Sequence, residues 1–264
     1  MPIEVSERGP HRRVRIAVID SGVHAVHPHV GGVAGGIAID GYGRMSDDYE
    51  DRIGHGTAVM AAIKEKASAA DCYAVRIFDT RLTAAASTLI AAIDWAVLAG
   101  VDIINLSLGT SNTAHLAAFE AAVARAFAAN VAIVAARDDD GVQWLPGSLP
   151  DVVPVQVDWD CPRDEFRVAV SDDGTVFRAS GFARPIPGVD PWRNLHGVSF
   201  AVAHVSGFLA ALFEQDGGWK QNPVEMLVAA HTTRVDQAGH HREELRVPGR
   251  RPGPGDESDV TGRQ

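Results

Sequence analysis

The chain has 264 residues, of which 46% are hydrophobic and 22% are charged, and its formal net charge is −10 at pH 7. This length and composition are typical of a globular protein that buries a core without disulfides. The acidic balance and the lack of a long basic run make nucleic acid and anionic membranes poor partners, and we expect neither. We also expect no transmembrane helix.

Cysteine usage and the N-terminal stretch bear on location. Cys72 and Cys161 are the only cysteines. They could pair, but two cysteines in this length do not make the disulfide framework of a secreted protein. Residues 1–20 contain no apolar signal-peptide core of the needed length. We therefore expect a cytoplasmic protein.

Short apolar, β-branched runs predict the strands of a parallel sheet. These runs are residues 14–20, 71–78, 101–108, 130–136 and 151–157. Helical patterns alternate with them, after His55 and over residues 83–100 and 111–130. Strands that alternate with helices indicate an α/β fold with a doubly wound, mostly parallel sheet flanked by helices, in a single domain.

The pattern changes in the C-terminal part of the chain. Residues 164–190 contain short strand-like runs broken by turn residues, which predict a hairpin or surface ribbon. One helix is expected from Ser199 to about Gln215. Another is expected from Pro223, because proline is favoured in the first helical turn.

Three polar residues, Asp20, His55 and Ser199, stand at strand ends or helix starts. Asp20 follows the first strand, and ligands gather at the carboxyl ends of parallel strands. Ser199 opens a helix, where free N–H groups and a positive dipole end suit a developing oxyanion. Singly they could be a turn aspartate, a helix-start histidine and an N-cap serine. Together they form the set for acyl transfer, in which serine attacks, histidine takes its proton and aspartate orients the imidazole.

Four motifs carry a resemblance to the subtilisin-like serine proteases, the subtilases. They are IAVIDSGV around Asp20, GHGTAV around His55, INLSLG at 104–109, and GVSFAVAHVSG around Ser199. Their order is the Asp-His-Ser order of subtilases. The last motif departs from the family pattern, since it has Val, Phe and Ala where the family has Thr, Met and Pro.

The resemblance runs from about residue 14 to 232 and implies a subtilisin-like catalytic domain over residues 14–235. The flanking segments, 1–13 and 236–264, are interpreted as extensions, the latter disordered from about residue 247. The resemblance also makes Ser107, Leu108 and Gly109 a strand edge to which an extended substrate adds by main-chain hydrogen bonds. The segment around residues 82–84 would pair with the other edge of that peptide.

The resemblance predicts an oxyanion hole made by the Ser199 N–H and by the side chain at position 138. The family has Asn in that position, whereas this chain has Asp138, preceded by Arg137. An ionised carboxylate cannot donate a hydrogen bond to an oxyanion. Three alternatives remain open. Asp138 is protonated and donates, another group such as Arg137 or Asn194 donates, or the protein is a weak or inactive protease that binds peptides.

The next two residues, Asp139 and Asp140, would lie near the pocket for the residue before the scissile bond, the P1 residue. They are either a solvated acidic turn or a site that attracts Lys or Arg. We expect no cofactor and no metal site. His24, His27 and His29 could form a metal cluster, but a His-Pro loop typical of the family is the alternative. The calcium loop and the propeptide of secreted family members are not expected.

These observations predict a cytoplasmic serine endopeptidase that makes a limited cut in a peptide or protein partner. Removal of a leader from a modified peptide is the expected reaction, with leader removal in quinohemoprotein amine dehydrogenase maturation as a narrower version. The first alternative is a catalytically impaired subtilase fold that binds peptides. A nucleotide-binding fold is the second, but the chain lacks a glycine-rich phosphate loop followed by a helix.

Overall fold

The computed structural model describes residues 13–139, 141–216 and 222–244, and of residues 139 and 234–244 it describes the backbone only. A nine-stranded sheet with the order β10-β11-β9-β6-β5-β1-β4-β2-β3 forms its centre. Pairing is parallel from β11 to β2, and antiparallel strands close both edges. The strands of this sheet are β1 Arg15–Asp20, β2 Gly35–Ile39, β3 Met45–Ser46, β4 Asp71–Arg76, β5 Ile103–Leu106, β6 Ala132–Ala136, β9 Val152–Val157, β10 Phe166–Ser171 and β11 Gly174–Ala179.

A separate two-stranded ribbon pairs β7 Asp138–Asp139 with β8 Val142–Gln143. Two short 3₁₀ helices occur at Thr113–His115 and Pro191–Arg193. The α-helices of the described residues are α1 His55–Lys64, α2 Ala86–Leu98, α3 Leu116–Ala128, α4 Val198–Asp216 and α5 Pro223–Glu244.

Both faces of the central parallel strands are covered, which is why strands such as β1 and β6 are almost wholly apolar rather than alternating. In β1, Ile16 and Val18 belong to a core that α1 and α4 cover. Ala17 and Ile19 belong to a second core under α2 and α3. The doubly wound, mostly parallel α/β fold predicted from the alternation of strands and helices is therefore confirmed.

Two details differ from the sequence-based expectation. Strands β10 and β11 form the predicted hairpin, but β11 also pairs with β9, so the hairpin extends the main sheet instead of forming a separate ribbon. Strand β2 was not predicted, because its two glycines, Gly35 and Gly36, weaken the strand pattern. The chain divides into two compact units, Met1–His231 and Thr232–Gln264. The disorder expected from residue 247 falls outside the described residues.

Two further expectations concern the cysteines and the membrane. Cys72 and Cys161 are both free and buried, so they do not pair. Helix α4 is long and apolar enough to cross a membrane by length and composition, contrary to the expectation that no segment would be. Most of it is buried against the sheet, as expected of the central helix of a globular core.

Candidate active site

Asp20, the last residue of the central strand β1, is completely buried. Its Oδ1 atom accepts a hydrogen bond from the backbone N–H of Ser21 at 2.7 Å. The same oxygen lies 2.7 Å from Nδ1 of His55, which donates to it. Oδ2 of Asp20 is buried without a partner among the described residues. The carboxylate is therefore positioned to hold one tautomer of the imidazole, with Nε2 left free to accept a proton.

The first turn of α1 brings His55 to this carboxylate, and it approaches β1 closely at Gly56. A Cβ atom at Gly56 would collide with the backbone oxygen of Gly22 and crowd Cβ of Asp20. Only glycine lets the helix start so near the strand end.

Asp51 caps this helix and was missed by the sequence reasoning. The N-cap residue, Gly54, has no side chain to cap with and adopts φ 90°. Instead, the carboxylate of Asp51 accepts hydrogen bonds from the N–H groups of Ile53, Gly54 and Thr57 and from the Thr57 hydroxyl. An aspartate just before a helix start is a recognisable capping signal, and it could have identified this residue.

Ser21 links the cap to the strand end. Its hydroxyl donates to Asp51 Oδ1 at 2.8 Å and accepts from the N–H of Gly56 at 2.9 Å. The network Asp51–Ser21–Gly56 therefore fixes the first turn of α1 against the residue that follows Asp20. Both partners of the Asp20–His55 hydrogen bond are held in place by it.

The pKa of His55 reflects opposing effects. Burial, the largest of them, would lower the pKa, but the hydrogen bond and the negative charge of Asp20, together with the charge of Asp51, outweigh it. The pKa of His55 is therefore raised above its ordinary value of 6.5. The protonated imidazole is stabilised at this position, as the transition state of acyl transfer requires.

Ser199 lies in the first turn of α4, so its backbone N–H has no partner within the helix. The ring of the next residue, Phe200, has its centroid 5.9 Å from that of His55. The Ser199 hydroxyl donates to the carbonyl oxygen of Ser107 at 3.4 Å. Among the described residues no hydrogen bond joins Ser199 to His55. The structure thus brings the three residues to one region. Asp20 and His55 are hydrogen-bonded to each other, whereas the Ser199 hydroxyl is bonded to Ser107, the residue that follows β5.

The end of β5 is fastened to α4 by polar side chains inside the core. Asn105 donates to the Ser107 hydroxyl at 3.0 Å and accepts from the Ser206 hydroxyl at 3.0 Å. The Ser107 hydroxyl in turn donates to the Ser199 carbonyl at 3.4 Å. This cross-link sets the distance between the predicted nucleophile and the predicted substrate edge.

The backbone next to the predicted substrate edge pairs with another segment of the chain, but the edge residues Leu108 and Gly109 do not. Thr110 pairs with Leu145 through backbone hydrogen bonds of 3.0 and 2.8 Å. In the described part of the chain, no backbone hydrogen bond engages Leu108 or Gly109. Their N–H and C=O groups therefore have no backbone partner among the described residues, which is what the substrate-binding prediction for Ser107, Leu108 and Gly109 needs of the last two.

Asp138 makes a contact that the sequence did not indicate. It begins β7, and its Oδ2 accepts a hydrogen bond from the side-chain amide of Gln156 on β9 at 2.7 Å. Asn194, an alternative oxyanion donor, uses its amide N–H on the carbonyl of Arg184 at 2.9 Å. Asp139 is described by its backbone alone, which pairs with Val142, and Asp140 lies outside the described residues.

The histidines after Asp20 turn to different partners. Nδ1 of His24 lies 2.6 Å from Oε1 of Glu50. Nδ1 of His27 accepts a hydrogen bond from the backbone N–H of His29 at 3.2 Å. Throughout the described ranges, no group of three or more His, Cys, Asp or Glu side chains is arranged to hold a metal ion.

Comparison with known proteins gives this geometry a family. The sequence profile of the Subtilase family matches residues 11–153, which include Asp20 and His55. Subtilisin E of Bacillus subtilis (strain 168) is 28% identical over 224 residues, covering 78% of this chain and 57% of the relative. A thermostable alkaline protease of Halalkalibacterium halodurans is 30% identical over 233 residues, covering 81% of this chain and 60% of the relative.

The fold has a counterpart among solved structures. A cold adapted subtilisin-like serine proteinase superposes with a TM-score of 0.62 at 22% identity, covering 83% of this chain and 81% of that one. The chain spans little more than half the length of the first of these relatives. Since the family profile matches more than half of the chain, and the fold and the Asp20–His55 geometry agree with it, the chain belongs to the subtilase family.

Proposed function

We propose that the chain is a serine endopeptidase of the subtilisin type. The observation that carries this proposal is the 2.7 Å hydrogen bond between Asp20 and His55. It lies at the carboxyl end of the central strand β1, in the same region as Ser199 in the first turn of α4. A paired aspartate and histidine beside a helix-start serine make the arrangement that activates a hydroxyl for acyl transfer.

The reaction follows from the positions of these groups. Ser199 Oγ turns from the Ser107 carbonyl to His55 Nε2, gives up its proton to it, and bonds to the carbonyl carbon of the scissile amide. Asp20 stabilises the imidazolium, and the free N–H of Ser199 donates to the oxyanion. His55 then gives its proton to the leaving amine as the C–N bond breaks. Water, with its proton taken by His55, attacks the ester that remains on Ser199 and releases the acyl group.

A fluorophosphonate probe tests this activity directly, because it labels only an activated serine. We expect labelling of the wild type, none of Ser199→Ala, and strongly reduced labelling of His55→Ala. Equal labelling of the wild type and Ser199→Ala would overturn the assignment of the nucleophile.

A second function, peptide binding without turnover, is favoured by two other observations. The Ser199 hydroxyl bonds to Ser107 rather than to His55, and the Asp138 carboxylate is held by Gln156. The same probe separates the two functions. A folded wild type that binds peptides but resists the probe would be a binding module, and hydrolysis with labelling would exclude that reading.

As for the substrate, we propose a limited cut in a single peptide or protein partner, such as the removal of a leader from a modified peptide. The carboxylate at position 138, where the family has an amide donor, supports slow turnover over bulk digestion. The test is mass spectrometry of a peptide encoded beside this gene, incubated with the wild type and with Ser199→Ala. One cleavage by the wild type alone is expected, and no cleavage or many cleavages would contradict it.

A basic P1 residue and a cytoplasmic location complete the proposal. The three consecutive acidic residues 138–140 support the preference for Lys or Arg, and a peptide library with every P1 residue tests it. The buried free thiols of Cys72 and Cys161, whose pKa values burial raises to about 11, suit a reducing compartment. Fractionation of cells that make the full chain tests the location, and recovery outside the cytoplasm would contradict it.

A further inference from the structure

Four aromatic rings lie together on the surface beside Ser199, and we call this cluster the aromatic platform: Trp159, Phe182, Trp192 and His196. The ring centroids of Trp159 and Trp192 are 4.9 Å apart, and those of Phe182 and Trp192 are 4.8 Å apart. His196 lies 5.3 Å from Trp192. Although packed against one another, Trp192 and Trp159 remain 55% and 39% exposed. The platform leaves two indole surfaces open to solvent, and its member His196 is three residues before the proposed nucleophile.

The platform stands on a loop that leads directly into α4. Phe182 and His196 face each other in an antiparallel bridge. The N–H of Gly197 donates to the carbonyl of Gly181 at 2.8 Å, and that of Ala183 donates to the carbonyl of Leu195 at 3.1 Å. The two arms of the loop are therefore fastened just before Ser199.

A buried histidine and a half-buried arginine hold the loop by hydrogen bonds to its backbone. The carbonyl of Phe182 accepts from Nε2 of His204 at 3.0 Å and from Nε of Arg163 at 3.3 Å. Burial and the charge of Lys66 lower the pKa of His204 to about 3, so this ring is neutral and keeps the N–H at Nε2. A binding surface held in one conformation loses little entropy when a ligand binds.

Trp192 itself is held at its backbone. Asp190 caps the short helix Pro191–Arg193 by accepting from the N–H of Trp192 at 2.8 Å. Two aliphatic side chains of the same loop, Ile186 and Leu195, are also exposed. The backbone under Trp192 is thus fixed by a cap, and the same loop exposes two aliphatic side chains.

The short separation of His196 and Ser199 along the chain indicates that the platform lies near the bound substrate. His196 is three residues from Ser199, and three residues span at most about 11 Å. His196 therefore lies within reach of about three residues of an extended polypeptide whose scissile bond is at Ser199. Exposed indoles favour an aromatic ring, since aromatic pairs gain both buried area and favourable ring geometry.

We propose that the aromatic platform binds an aromatic side chain of the substrate, within about three residues of the bond that Ser199 attacks. This inference rests on the proposed function for its substrate, a polypeptide. Its test measures binding and needs no turnover, so the two can fail separately.

The test uses Ser199→Ala protein and short fluorescein-labelled alanine-rich peptides, each with one Phe at a different position, beside the all-Ala parent. We expect Phe at one position to tighten binding about tenfold in fluorescence anisotropy. Adding Trp192→Ala should bring that ratio close to one. Trp192→Phe, which keeps a ring, should retain most of it. Phe127→Ala, which removes an exposed ring from α3, is the matched control and should keep the whole ratio.

Three results would overturn the inference. They are no preference for Phe at any position, a preference that survives Trp192→Ala in folded protein, and sedimentation showing self-association that Trp192→Ala abolishes. The last would make the platform an interface between two copies. Binding that follows the expected pattern in a chain that resists the fluorophosphonate probe would support the platform and refute the proposed protease activity.

Discussion

The hydroxyl of Ser21 donates to the carboxylate of Asp51 at 2.8 Å, and this contact joins the end of β1 to the cap of α1. Thirty residues separate the two partners along the chain. Asp20 precedes Ser21 directly, and His55 begins the helix that Asp51 caps. One carboxylate therefore positions both members of the Asp20–His55 pair without touching either by a hydrogen bond.

Asp51→Asn should weaken this arrangement, since an amide cannot accept every hydrogen bond that the carboxylate accepts. Loss of a helix cap costs about 1–2 kcal/mol, so the free energy of unfolding should fall by that amount in a denaturant titration. The negative charge of Asp51 also helps to raise the pKa of His55. The acidic limb of kcat/KM should therefore move to lower pH, an effect that a purely structural role would not produce. Asp47→Asn, at an exposed neighbouring carboxylate, is the control and should change neither quantity.

The pH dependence of the wild type follows from the same charges. His55 must be neutral to accept the serine proton, and its pKa is raised above 6.5 because Asp20 and Asp51 outweigh the effect of burial. We expect kcat/KM for a fluorogenic peptide to rise with pH, with its midpoint above 6.5. Asp20→Asn should lower both that midpoint and the maximal rate. A wild-type midpoint below the ordinary histidine value would contradict the hydrogen-bonded pairing of His55 with an ionised Asp20.

Asp138→Asn tests the oxyanion hole. An Asn side chain can donate a hydrogen bond to the oxyanion, whereas an ionised carboxylate cannot. One such donor is worth about 100–1,000-fold in turnover, and part of that gain should appear, so we expect kcat at neutral pH to rise at least about tenfold. Asp158→Asn alters a carboxylate of the same cleft that is paired with Arg167, and it should give no gain. An unchanged kcat in Asp138→Asn would mean that position 138 takes no part in the hole.

Gly56→Ala probes the close approach of α1 to β1. The added methyl group would meet the backbone oxygen of Gly22 and crowd Asp20, neither of which can move without breaking the strand end. Overpacking of this kind typically costs about 1–3 kcal/mol. We expect a lower melting temperature and a large loss of activity. Gly41→Ala, where the new methyl group meets open space, should leave both nearly unchanged.

Much of the fold could be predicted because its strands and helices are coded locally. The predicted run at 71–78 became β4, and the run at 151–157 became β9, with ends shifted by one or two residues. The ribbon of β7 and β8 was missed, because each of its strands has only two residues and leaves no periodic pattern. Strand β2 was missed because glycine dilutes its pattern, and it forms through its pairing with β4.

The sequence by itself determined five of the strands and the order of the helices between them, and it singled out Asp20, His55 and Ser199, since each of these lies in a short motif whose meaning is local. Only the tertiary structure decided the contacts around them. The hydrogen bonds from Ser21 to Asp51 and from Gln156 to Asp138, and the packing of Trp159 on Trp192, join residues 18 to 33 positions apart. Such contacts depend on how the strands and loops come together in space, and no local pattern specifies which distant residue will make the contact.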